Sequence, residues 1–186
     1  MYKIPKKYNE KERIMKKFLL VLVALCLWGC SQNKELIKGK TDTEVYQELM
    51  DGIKTAMPES VYNELTENSE YSVVDDTMLI GNKKENPTLR LDFTYKDNQL
   101  AQYVSKEYGF MDSLKDKNIT DDKAKNVAMS FAKTFLNKGS QLKETTALSG
   151  YETDNYITLE DQDHNVYLIQ KDIGMIIKYS DATLDK

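Results

Sequence analysis

Apolar residues follow three different rules along this chain. From Phe18 to Trp28 they form an unbroken run of eleven residues. Further on they recur at helical spacing. Val45, Leu49, Ile53 and Ala56 share one face behind Thr41-Asp42-Thr43-Glu44, which has the Thr-x-x-Glu form of a capping box. Pro58 ends that helix and suits the start of a second, short one carrying Val61, Tyr62 and Leu65. Strand patterns follow. Tyr71 to Ile80 is one expected strand. Thr88 to Tyr95 is the clearest, with Leu89, Leu91, Phe93 and Tyr95 alternating with Arg90, Asp92 and Thr94. Lys96 to Gln99 reads as a turn and Leu100 to Tyr108 as the returning strand.

The order then recurs. Thr120 is an N-cap residue, and Asp121 and Asp122 suit the positive end of the helix dipole. Ala124, Val127, Ala128, Phe131, Phe135 and Leu136 mark one stripe, and Gly139 stands where a C-cap glycine is expected. Thr145 to Tyr151, Tyr156 to Glu160, Val166 to Gln170 and Met175 to Tyr179 read as short strands separated by turn signals. The expected fold class is therefore α+β, a helix packed on a short antiparallel sheet, with the pattern occurring twice: an N-terminal half over 41–118 and a C-terminal half over 119–186. The halves share no sequence identity. Each is about 75 residues, marginal for a separate core, so they are expected to pack together.

The apolar run near the start has its own logic. It follows Lys16 and Lys17 and precedes Gly29-Cys30-Ser31. Eleven residues match a signal-peptide core and fall short of the ~20 needed to span a bilayer. Leu27-Trp28-Gly29-Cys30 resembles the lipobox of bacterial lipoproteins, with Leu27 and Gly29 matching and Trp28 bulkier than the pattern. The resemblance implies cleavage before Cys30, a diacylglycerol on its sulfur, and a protein tethered to the extracytoplasmic face of the cell membrane; two acyl chains suffice for stable anchoring. On this reading 1–29 is a signal peptide, Met15 the better start for it, and 30–40 the lipidated cysteine with a polar tether.

The end of the chain carries a second resemblance. Val166 to Ile169, Asp172, Gly174 and Met175 to Ile177, behind the helix and strands of 119–181, resemble a PepSY-type domain. That resemblance implies a non-catalytic extracytoplasmic module acting on a peptidase or another partner protein.

Charge narrows the functions further. The chain has 26 Lys and Arg against 30 Asp and Glu. Seven of the basic and two of the acidic groups lie in 1–29, which leaves 19 against 28, a net −9, for residues 30–186. Such a domain lacks the electrostatic drive for nucleic acid and is repelled by anionic headgroups. Arg13 and Arg90 are the only arginines and Cys26 and Cys30 the only cysteines. The exported part thus has no disulfide, no thiolate nucleophile and no cysteine metal site beyond Cys30.

Candidate chemistry is sparse. His164, the one histidine, sits between two strands with no recognisable nucleophile beside it and reads as an exposed turn residue. Asp161, Asp163, Asn165 and Asp172 are a fragment of a calcium-loop pattern, but Val166 stands where that loop needs glycine, and strands flank it. Asp75-Asp76 has no visible partner, and Asp121-Asp122 is accounted for as helix-start charge. No metal or cofactor and no catalytic residue are expected. Among the chain's 12 tyrosines, Tyr156, Tyr167 and Tyr179 are candidates for a partner-binding face on whichever side of the sheet no helix covers; the alternative for these tyrosines is half-buried strand positions. The expected function is a membrane-anchored, non-enzymatic binding or regulatory domain for a protein partner. The alternatives are a small-solute receptor and a cell-envelope hydrolase.

Overall fold

The computed structural model describes residues 35–82, 87–107, 118–139, 141–146 and 154–182. The signal segment, the lipobox and Cys30 lie outside the described residues, as do Tyr108 and Tyr151.

Thr41 opens helix α1 (Asp42–Ala56) with a complete capping box: its backbone N–H donates to the Glu44 carboxylate at 2.8 Å and its hydroxyl accepts from the Glu44 N–H at 3.3 Å. The expected stripe of Val45, Leu49, Ile53 and Ala56 is buried. Pro58 precedes α2 (Glu59–Asn68), which buries Val61 and Leu65. Thr120 caps α3 (Asp121–Phe135), which buries Ala124, Ala128, Phe131 and Ala132. The left-handed position after α3 is taken by Asn137 (φ 52°) rather than by Gly139, two residues farther on. Asparagine tolerates that conformation well enough for the helix to stop early.

The strands are β1 (Ser69–Val74), β2 (Thr77–Asn82), β3 (Leu89–Lys96), β4 (Gln99–Glu107), β5 (Lys143–Glu144), β6 (Tyr156–Glu160), β7 (Val166–Gln170) and β8 (Met175–Ser180). The single strand expected over Tyr71 to Ile80 is a hairpin, broken at Asp75-Asp76 with Asp75 at φ 53°. The turn expected at Lys96 to Gln99 forms, with Asp97 and Asn98 both at positive φ, as the twist of a tight hairpin demands. The strand expected over Thr145 to Tyr151 begins earlier, at Lys143, and its described part ends with the Thr145 N–H donating to the Thr158 carbonyl.

All eight strands form one antiparallel sheet in the order β1-β2-β3-β4-β8-β7-β6-β5. Its centre is the pairing of β4 with β8, Gln102 opposite Ser180 and Tyr103 opposite Tyr179. The architecture is α+β, one sheet and three helices. The expected doubling is not established by it: two helices accompany the first four strands and one the last four, and β5 has only two residues.

The core lies between the helices and one face of the sheet. An aromatic row crosses the sheet's middle, where Phe93, Tyr103, Tyr179 and Tyr167 face one another on successive strands β3, β4, β8 and β7. Ring centroids are 5.0 Å apart for Phe93–Tyr103 and 5.2 Å for Tyr167–Tyr179. Phe131 of α3 sits over the row, 5.3 Å from Tyr103 and 5.7 Å from Tyr179. Tilted rings at these distances gain both area burial and quadrupole attraction. Leu36, in the segment expected to be a free tether, is 5% exposed and joins this core, so any tether is shorter than 30–40.

Candidate functional site

Two of the three tyrosines named for partner binding are in the core. Tyr167 is fully buried and Tyr179 is 1% exposed, both beneath α3; only Tyr156 is half-exposed. The correction has a simple cause. The helix-facing residues of β6 and β7 are Ile157, Leu159, Tyr167 and Ile169, so Tyr156 falls on the other side of the same sheet. Burial raises the pKa values of Tyr95 and Tyr179, the former further raised by the nearby Glu48 carboxylate.

The Asp161 to Asn165 turn is a structural lock. Asp161 is 1% exposed. One carboxylate oxygen accepts from the N–H groups of Asp163 (2.9 Å) and Asn165 (3.0 Å). The other accepts from the Asn165 side-chain amide and the Tyr167 hydroxyl, each at 2.9 Å. With four donors satisfying both oxygens, this carboxylate has nothing left for a cation. Among the described residues no cluster of His, Cys, Asp and Glu could hold a metal ion. His164, its side chain 73% exposed and its φ 65°, contacts the Glu160 carboxylate; that hydrogen bond and Lys143 hold Glu160 below the usual glutamate range. Asp75-Asp76 forms a hairpin turn. Asp121 pairs with Lys171 at 2.8 Å, which lowers its pKa and ties the start of α3 to the β7–β8 turn.

One open groove of about 550 Å³ lies where the C-terminal end of α3 meets the β3–β4 turn. Tyr95, Leu49, Phe135 and Leu100 contribute apolar atoms to it. Its charged groups are already engaged: Lys40 binds Glu48 at 2.6 Å and Lys138 binds Asp163 at 3.1 Å. The groove is partly open to solvent, unlike an enclosed small-molecule site.

The broad surfaces are on the sheet. Among the described residues no helix covers the face carrying Leu79, Asp92, Val104, Lys178, Leu168 and Thr158, which stand opposite one another strand by strand; of these Asp92, Leu168 and Thr158 are buried and the others half-buried. Asp92 is held there between Arg90 and Lys106, each at 2.8 Å. The sequence contained this signal: Arg90 and Asp92 alternate with the buried Leu89, Leu91 and Phe93. The β1 edge was not legible, because the turn at Asp75 was hidden within an expected strand.

No protein-family model matches the chain, and no curated protein is similar to it in sequence. Among solved structures it is similar to the Bacillus megaterium YpeB C-terminal domain, at 16% identity and a TM-score of 0.49, over 76% of this chain and 63% of that one. The chain thus spans under two thirds of that structure's length. The likeness is one of partial arrangement, and no activity follows from it.

Proposed function

We propose that this protein is a lipid-anchored extracytoplasmic module that binds a protein partner and does no chemistry of its own. The observation that carries the reading is the one-sided sheet. Eight strands are packed by helices on one face, and the exposed edge strand Ser69–Val74 is left as contact surface, while Asp92, Leu168 and Thr158 on the second face are buried. An extended strand edge suits a protein segment better than a solute. The PepSY-type resemblance of 119–181 agrees with this role, as does the turn at Asp172 to Gly174 between two apolar strands. On the same reading the chain is two PepSY-like halves joined through their last strands, β4 and β8. The lipobox at Leu27 to Cys30 supplies the anchor, on the outer side of the cell membrane. Among the described residues no helix is long and apolar enough to cross a membrane.

The test uses the full chain in cells. Labelled palmitate should enter the protein and be lost in Cys30→Ala. A photoreactive residue at Lys178, on the second face, or at Ser72, on the edge, should capture one protein reproducibly, and excess unlabelled chain should compete for it. Turnover of an envelope substrate by the purified protein, with no competed capture, overturns the reading in favour of a hydrolase.

A further inference from the structure

We propose that the partner docks as an added strand on β1, and that its docking segment is extended and basic. The inference rests on the protein-binding reading above and deepens it.

The two ends of the sheet differ. β5 offers two residues, both charged, and is a poor template. β1 offers six, Ser69 to Val74, and its only strand neighbour among the described residues is β2. An edge of this length carries a row of backbone donors and acceptors ready to pair, and soluble proteins commonly blunt such edges with lysine, proline or a bulge. β1 has neither residue, and its pairing with β2 is regular. It also exposes apolar atoms: Tyr71 is 36% and Val74 54% exposed, two of the three large apolar side chains exposed among the described residues.

The edge is held rigid from below. Tyr71 stacks on Tyr46 of α1 with centroids 4.6 Å apart, and its hydroxyl meets that of Thr43 at 2.9 Å. The Tyr46 hydroxyl bonds that of Ser69 at 2.6 Å. A strand fixed in this way loses little entropy when another pairs with it.

Charge names the occupant. Between Lys54 and Lys83 the chain carries Glu59, Glu64, Glu67, Glu70, Asp75 and Asp76 and no Lys, Arg or His. This stretch is α2, β1 and β2, the edge and its surroundings. Its net −6 opposes pairing with a second copy of itself and favours a segment whose side chains alternate between cationic and apolar. Glu70 and Val74 share one face of β1 and Tyr71 and Val73 the other, so the cationic side chains would lie on the exposed Glu70 face and the apolar ones along Tyr71.

The experiment titrates the full chain, in neutral detergent, with a fluorescent peptide alternating lysine and valine and long enough to span β1. Two control peptides carry glutamate for lysine, or an N-methyl group on every second residue. Binding should fall about tenfold or more with either control, with Ser72→Lys and with Glu67→Lys, while melting temperatures hold. Hydrogen exchange should slow at β1. Equal binding of the glutamate or N-methyl peptide overturns the proposal, as does slowed exchange at β3, β4 and β8 instead. So does a dimer whose β1 is protected without peptide. In cells, competed capture at Lys178 but not Ser72 overturns edge docking and leaves the protein-binding reading standing. Capture at neither site overturns both.

Discussion

Asp161 shows how much one side chain decides. It lies in a polar turn, Asp-Gln-Asp-His-Asn, which in sequence looks exposed throughout. In the fold it is the buried member, and its four hydrogen bonds join the turn to Tyr167 and hence to the aromatic row beneath α3. Hydrogen bonds to an ionised acceptor are stronger than neutral ones, and removing the acceptor strands several buried donors. Asp161→Ala is therefore expected to cost roughly 2–4 kcal/mol, read by urea denaturation, and Tyr167→Phe only about 1 kcal/mol. A smaller loss in Asp161→Ala than in Tyr167→Phe would show that the carboxylate is not the hub. The turn was legible as a turn, but alternation cannot tell which of its acids points inward.

The helices owe their positions to small residues as much as to large ones. Gly52, in the middle of α1, faces Phe135 at the end of α3, and a Cβ built there would stand 2.5 Å from the ring's Cε1. The ring is itself packed against Phe93 and Phe131, at 5.7 and 4.8 Å. Gly52→Ala gains about 1 kcal/mol of helix propensity. It loses roughly 1–3 kcal/mol by crowding a packed ring. The net expectation is destabilisation in the natural background and stabilisation when Phe135→Ala opens the space, a sign reversal that thermal melts of the four-member cycle would detect. Glycine in a helix reads in sequence only as a weak point. Its use here, letting α1 and α3 approach, depends on a contact between residues far apart in the chain.

On the helix-covered face of the sheet, four tyrosines are core residues. Tyr95, Tyr103, Tyr167 and Tyr179 are all buried on the helix-covered face. Burial favours the neutral phenol, so Tyr95 and Tyr179 ionise above the ordinary 10.0 in the folded state. A raised folded value means that their stabilising contribution is complete below pH 10.0 and is lost as pH climbs past it. The protein should hold its circular dichroism up to that pH and then unfold cooperatively, with phenolate absorbance and loss of structure rising together. Gradual phenolate formation with the fold intact would mean that these hydroxyls reach solvent.

Local chemistry was enough to locate most of the elements. Capping at Thr41 and Thr120, the alternation of Leu89 to Tyr95 and the turn at Lys96 to Gln99 are each encoded within a few residues, so neighbouring side chains announce them. The α+β class follows from their order. The same local rules misplaced what depends on one backbone angle: Asp75 turned an expected strand into a hairpin, and Asn137 ended α3 ahead of Gly139. Period-two patterns say which residues share a side but not which side meets the helices. That choice fell to packing, which drew Tyr167 and Tyr179 under Phe131 and left Tyr156, Lys178 and Val104 outside. Which strands end the sheet is equally a matter of long-range pairing. Only the joining of β4 to β8 left β1 at the edge, since no residue within β1 records that it has a single neighbour.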